Sequence, residues 1–189
     1  MRELWCAAGI VITASHNPPQ YNGYKVYWSH GGQVGPELAE KIFESIRRAD
    51  YFDIDTSSLA SVNESQMICT VSDLVDEAYY KKALSLRLNP ELMQERGANY
   101  RVVYTPLHGA GLVPVTEILK RAGLKKLRVV EEQAQPDGDF PTVAAPNPED
   151  PNAFTLALQL AKKTDAQLLL ATDPDCLSYT SPSPRDKRQ

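Results

Sequence analysis

From Tyr100 onward, short apolar runs alternate with segments of helical period, and this alternation constrains the fold more than any other feature. Arg101–Thr105 (RVVYT), Lys126–Val130 and Gln167–Thr172 (QLLLAT) read as strands. Leu112–Ala122 reads as a helix, with Pro114 in its first turn and Gly123 as its stop. A second helix opens at Asp150 and Pro151 and carries Phe154, Ala157, Leu158 and Ala161 on one face. Strand, helix, strand, long loop, helix, strand, with strands too apolar to alternate, requires a parallel sheet covered by helices. The expected class is therefore α/β: a three-layer α/β/α arrangement with mixed-to-parallel sheets.

The first half is less regular. Ala7–Ala14 (AAGIVITA) reads as a buried strand and Gly23–Trp28 (GYKVYW) as a second strand. Pro36 opens a helix whose apolar positions Leu38, Ala39, Ile42, Phe43 and Ile46 fall on one face. Residues 50–70 are polar and irregular, Ser72 is placed to cap a helix running to about Leu88, and Asn89-Pro90 ends it. These signals divide the chain into 1–88, 99–176 and a tail, 177–189, that is expected to be disordered because Ser178–Gln189 holds no aliphatic residue.

Charge narrows the function. Twenty basic and 24 acidic residues leave a formal net charge of -4, which argues against nucleic acid or an anionic membrane as the partner. No apolar run reaches the roughly 18 residues of a membrane span. Cys6, Cys69 and Cys176 have neither disulfide-framework nor zinc spacing, so a reducing cytoplasm is the expected compartment.

Four segments carry candidate chemistry. Thr13-Ala-Ser-His-Asn-Pro18 follows the first strand and presents the Ser15 hydroxyl at a strand end, although the same residues read as an Asn-Pro turn. If that segment is extended, the side chains of Ser15 and His16 diverge. Asn22-Gly23 is a tight-turn dipeptide that would return Lys25 toward Ser15, although a single lysine there is more often a solvated one on a half-exposed strand. Asp173-Pro-Asp175 places two carboxylates at i and i+2 after an apolar strand, a set that suits Mg²⁺ or a surface turn. Thr105-Pro-Leu-His-Gly-Ala-Gly111 either offers backbone N–H groups to an anion or simply turns a strand into a helix, and the loop around Pro136–Thr142 and Pro146–Glu149 is dense in Pro and Gly. No Gly-x-Ser-x-Gly elbow supports a serine hydrolase.

Taken in order, GIVITASHNPPQYNGYKVYW, TPLHGAG, PDGDFPT with PNPE, and ATDPDC resemble the α-D-phosphohexomutase superfamily (phosphoglucomutase and phosphomannomutase) over residues 1–176. The resemblance implies interconversion of hexose 1-phosphate and hexose 6-phosphate, with glucose as the sugar, through a phosphoserine and a bisphosphate. A mannose- or pentose-type mutase, a non-catalytic anion- or metal-binding α/β module and a phosphatase-like hydrolase are the rival readings. The resemblance implies Ser15 as phosphoryl carrier, with Lys25 and His16 as catalytic neighbours. Thr13, Asn17 and His108 are its phosphate or substrate contacts, and Ser15, Asp173 and Asp175 its Mg²⁺ ligands. Glucose 1,6-bisphosphate is the implied phosphoryl source, a sugar phosphate the implied partner, and no obligate protein partner is expected. The family's third metal aspartate falls at Leu177 and its arginine at Ser178. This departure implies parts of two domains, cut at both ends, a non-native tail at 177–189, and little turnover by the chain alone.

Overall fold

The computed structural model describes residues 1–50, 52–53, 68–71 and 73–180. Ser72, most of the irregular stretch after Asp53 and residues 181–189 lie outside the described residues. The chain forms two compact units, one built from Met1–Val11 and Tyr24–Tyr79, the other from Ile12–Gly23 and Tyr80 onward.

In the first unit, β1 (Ala8–Ile12) and β2 (Tyr24–Trp28) make a two-stranded sheet, and α1 (Pro36–Arg48) follows. Pro36 sits in the first turn of α1, where its missing N–H has no partner to lose, and Arg47 and Arg48 occupy the last turn. The expectation of a buried first strand is corrected here. Ile10 and Ile12 are 66% and 73% exposed, and no residue of α1 is buried. A two-stranded sheet buries neither of its faces unaided, however apolar its sequence.

α2 (Asp73–Leu84) crosses from the first unit to the second and buries Tyr80. The stretch expected as a boundary holds α3 (Pro90–Arg96), again with Pro in its first turn, and a 3₁₀ turn at Gly97–Asn99. The second unit then follows the predicted alternation: β3 (Arg101–Thr105), α4 (Leu112–Arg121), β4 (Lys126–Val129), α5 (Thr155–Thr164) and β5 (Leu168–Thr172). With β6 (Tyr179–Thr180) at one edge, the strand order is β4-β3-β5-β6, and β3 is parallel to both its neighbours. Gly123, at φ +112°, ends α4 as the sequence predicts. Asp150 accepts the Asn152 N–H and opens a 3₁₀ turn, Pro151–Phe154, that leads into α5.

The core lies in this unit. Val103, Leu107, Val130, Phe154, Ala157 and Ala171 form one buried cluster beneath α5. Alternation along β3 sends Val102 and Tyr104 to the other face, also fully buried. The tail differs from expectation at its start. Tyr179–Thr180 forms a short β6 antiparallel to β5, pairing with Thr172 and Ala171. An edge strand needs only backbone groups, so the lack of aliphatic residues does not prevent it.

Candidate active site

The site is assembled at the C-terminal end of β5, where a parallel sheet presents its ligand-binding residues. Asp173 follows β5 directly and has no solvent exposure. A turn closes behind it, with the Cys176 N–H donating to the Asp173 carbonyl at 2.9 Å. The Ser178 N–H donates to Asp173 Oδ1 at 2.8 Å, and the Leu177 N–H to Asp175 Oδ1 at 3.2 Å.

The serine loop reaches the same place from 158 residues earlier in the chain. Ser15 Oγ donates to Asp173 Oδ2 at 2.8 Å, and Thr13 Oγ1 donates to Asp175 Oδ2 at 3.3 Å. Thr13 Oγ1 also accepts the Ser15 N–H at 2.8 Å, so one threonine ties the serine backbone to the second carboxylate. Ser15 adopts φ +55°, a left-handed conformation that costs a non-glycine residue of order 1 kcal/mol. This kink corrects the expectation of diverging side chains. His16 Nδ1 lies 3.5 Å from Ser15 Oγ and 3.9 Å from Asp173 Oδ2. Asn17 is exposed, its N–H donating to the Ala14 carbonyl at 3.1 Å. Lys25 is half-buried in β2.

His108, expected as a phosphate or substrate contact, bonds to the long loop through both ring nitrogens. Its Nδ1 lies 3.2 Å from the Gln135 carbonyl and Nε2 lies 2.9 Å from Thr142 Oγ1. A carbonyl only accepts, so Nδ1 carries the proton, and in the neutral ring Nε2 accepts the threonine O–H. Both nitrogens are thus committed within the loop. The Gly109 N–H donates to the Pro106 carbonyl and the Ala110 N–H to the Pro174 carbonyl. These bonds are those of a strand-to-helix turn leading into α4.

Two further groups shape the local electrostatics. Burial raises the Tyr104 hydroxyl far above its usual range, despite its 2.9 Å hydrogen bond to Thr172. Burial also raises the Cys176 thiol, with Asp173 and Asp175 adding to the rise. Both groups are neutral around Asp173, and no lysine or arginine pairs with that carboxylate among the described residues. A buried carboxylate that accepts from a hydroxyl and an amide N–H, with the His16 ring at 3.9 Å, is a place where a cation would be stabilised. No group of three or more His, Cys, Asp and Glu gathers among the described residues, so a cation here would also need the oxygen at Ser15. Carboxylate and hydroxyl oxygens are the hard donors that Mg²⁺ prefers, and the residues present fit it in kind.

No helix among the described residues is long and apolar enough to cross a membrane. Residues 1–52 match the phosphoglucomutase/phosphomannomutase alpha/beta/alpha domain I, and residues 77–176 match domain II of the same family. A phosphoglucomutase of Staphylococcus saprophyticus is 43% identical over 176 residues, covering 93% of this chain and 31% of that protein. A probable phosphomannomutase of Haemophilus influenzae is 37% identical, covering 89% of this chain and 33% of its own length. The crystal structure of a putative phosphomannomutase from Thermus thermophilus superposes with a TM-score of 0.73 at 26% identity, covering 97% of this chain and 38% of that one. The chain thus spans roughly a third of the length of these curated relatives. With a family domain matched across more than half of its residues, and the α/β fold in agreement, the chain belongs to the phosphoglucomutase/phosphomannomutase family.

Proposed function

We propose that this chain carries the phosphoryl-transfer centre of a cytoplasmic phosphohexomutase that interconverts hexose 1-phosphate and hexose 6-phosphate, glucose being the sugar. The observation that carries the reading is the 2.8 Å hydrogen bond from Ser15 Oγ to the buried Asp173 carboxylate. A serine hydroxyl is a weak nucleophile until a base takes up its proton, and Asp173 already accepts that proton's hydrogen bond. When a hexose bisphosphate supplies the phosphoryl group, the Ser15 Oγ–P bond forms and the P–O bond to the sugar breaks. The serine proton passes to the carboxylate side and the departing sugar oxygen is protonated. In the return direction, a sugar hydroxyl attacks the phosphoserine and loses its proton, and Ser15 Oγ is the leaving group.

His16, 3.5 Å from Ser15 Oγ, is placed to move a proton to or from that oxygen. Thr13 holds the serine backbone and Asp175 in one frame. Asn17 contributes a phosphate contact from the same loop, and Lys25 offsets phosphate charge and serves as acid or base. Asp173, Asp175 and the oxygen at Ser15 would hold Mg²⁺, which when bound neutralises the charge that phosphate adds beside two carboxylates. The three cysteines are free thiols, as a reducing compartment keeps them.

The test is incubation of the chain with Mg²⁺ and either glucose 1,6-bisphosphate or the mannose analogue, followed by peptide mass spectrometry. Phosphate on Ser15, absent from Ser15→Ala and faster with the glucose compound, is the expected result. Equal or faster transfer from the mannose compound replaces glucose by mannose. A chain left unphosphorylated by both compounds, or modified elsewhere, overturns the reading in favour of a binding module.

A further inference from the structure

The turn between β3 and α4 is strained, and nothing in the phosphoryl-transfer reading uses it. Leu107 and His108 are consecutive and both left-handed, at φ +48° and +61°. Neither is glycine, and each costs of order 1 kcal/mol or more. Such a pair persists only where its surroundings over-determine it. Leu107 is fully buried in the core cluster, and its N–H donates to Thr105 Oγ1 at 3.1 Å. Thr105 Oγ1 in turn donates to Oε1 of the fully buried Gln133 at 2.7 Å. The His108 N–H donates to the Gln133 carbonyl at 2.9 Å, and Gln133 Nε2 donates to Thr142 Oγ1 at 3.0 Å. Thr142, in the long Pro- and Gly-rich loop, thus joins a network around the buried Gln133 whose effect is to hold this turn.

The turn sets the next two residues against the acidic loop. A Cβ at position 109 would fall 2.3 Å from Pro174 Cα and 2.5 Å from its carbonyl oxygen, so only glycine fits. The Ala110 N–H donates to that same carbonyl at 2.8 Å. A Cβ at position 111 would meet Tyr104 Oη at 2.4 Å and Thr172 Oγ1 at 2.7 Å, just ahead of Asp173. Pro174 is the residue between the two carboxylates.

We infer that Gly109 and Ala110 are positioning residues that clamp the Pro174 peptide and so set the relative placement of the Asp173 and Asp175 carboxylates. Groups that share one cation must be held to a fraction of an ångström, and a supporting shell commonly changes metal affinity by about 10–100-fold. The inference rests on the reading of those carboxylates as cation ligands, and the experiment separates the two.

Replacing the Ala110 amide by an ester removes the N–H without adding an atom. Gly109→Ala adds the single methyl that Pro174 excludes. Manganese affinity is read by electron paramagnetic resonance, and amide exchange is read at Cys176 and Ser178, whose N–H groups bind Asp173. Exchange at Val102 and Val103 reports whether the sheet is intact. The expected result is Mn²⁺ binding weakened about tenfold or more. Exchange at Cys176 and Ser178 should rise together while exchange at Val102 and Val103 is unchanged. If the unmodified chain binds no Mn²⁺, the cation reading fails and exchange alone decides the clamp. An ester variant with unchanged exchange at Cys176 and Ser178 overturns the clamp, whatever becomes of Gly109→Ala.

Discussion

Phosphorylating Ser15 should destabilise the second unit, and a divalent cation should reverse the effect. The phosphoseryl group carries about -1.5 to -2 charges at neutral pH. Ser15 Oγ sits 2.8 Å from Asp173 Oδ2, so the new charge lies about 4 Å from a buried carboxylate. A pair of unit charges at about 4 Å repels by about 1 kcal/mol in water and about 4 kcal/mol at the effective dielectric of a protein surface. Asp173 is fully buried while Ser15 is half-buried, so the environment lies between these limits. For about 1.5 to 2 charges the repulsion is roughly 1.5 to 8 kcal/mol before Asp175 is counted. The lost hydrogen bond from Ser15 to an ionised acceptor adds about 1.5 kcal/mol or more. At about 2–4 °C per kcal/mol, a chain carrying phosphoserine at position 15 should melt at least ~6 °C lower in chelator than the unmodified chain. Millimolar Mg²⁺ should restore most of the loss. The measurement is thermal unfolding with phosphoserine incorporated at position 15, with and without EDTA. Equal melting temperatures in EDTA would refute the electrostatic reasoning, as would an effect that Mg²⁺ leaves in place.

Other consequences follow from the same packing. Gln133→Leu removes the acceptor of the fully buried Thr105 hydroxyl and should cost about 1–3 kcal/mol, read as a lower urea midpoint at unchanged slope. Phe154→Ala removes a buried ring from the core cluster beneath α5 and should cost about 3–5 kcal/mol in the same assay. The Tyr104 hydroxyl and Cys176 thiol are raised above their ordinary values of 10.0 and 9.0, so the fold favours their neutral forms. The stability they contribute is complete below pH 9 and lost as pH climbs beyond it. The urea midpoint should therefore fall above pH 9, less steeply in Cys176→Ala. At about pH 8, iodoacetamide should label the exposed Cys69 before Cys176, and the reverse order would contradict the raised thiol.

The second unit is legible because its strands are apolar on both faces and its helices carry their own punctuation. Arg101–Thr105 is the strand the residues predict, and Asp150, Pro151 and Gly123 act as the cap, opening residue and stop that their types favour. The first unit is harder to read, because AAGIVITA has the composition of a buried strand whatever covers it, and burial depends on neighbours that periodicity does not report. At the site, the residue types are visible, but their convergence across 158 residues follows from the sequence only through family resemblance. The approach of His16 to Ser15 escapes a sequence reading because a left-handed serine leaves no mark in composition. The glycines of Thr105–Gly111 do mark close approaches, Gly109 to Pro174 and Gly111 to Tyr104 and Thr172, and the sequence does not tell which group is approached.

The central claim is that Ser15, Asp173 and Asp175 act on one cation, and a manganese titration of the phosphorylated and unphosphorylated chains tests it most directly. An added attraction of only about 1.4 kcal/mol is tenfold in affinity. The account predicts one Mn²⁺ per chain, bound at least about tenfold tighter after phosphorylation of Ser15, with that gain abolished by Asp173→Asn. Equal affinity with and without the phosphate, or a gain that survives Asp173→Asn, would contradict it.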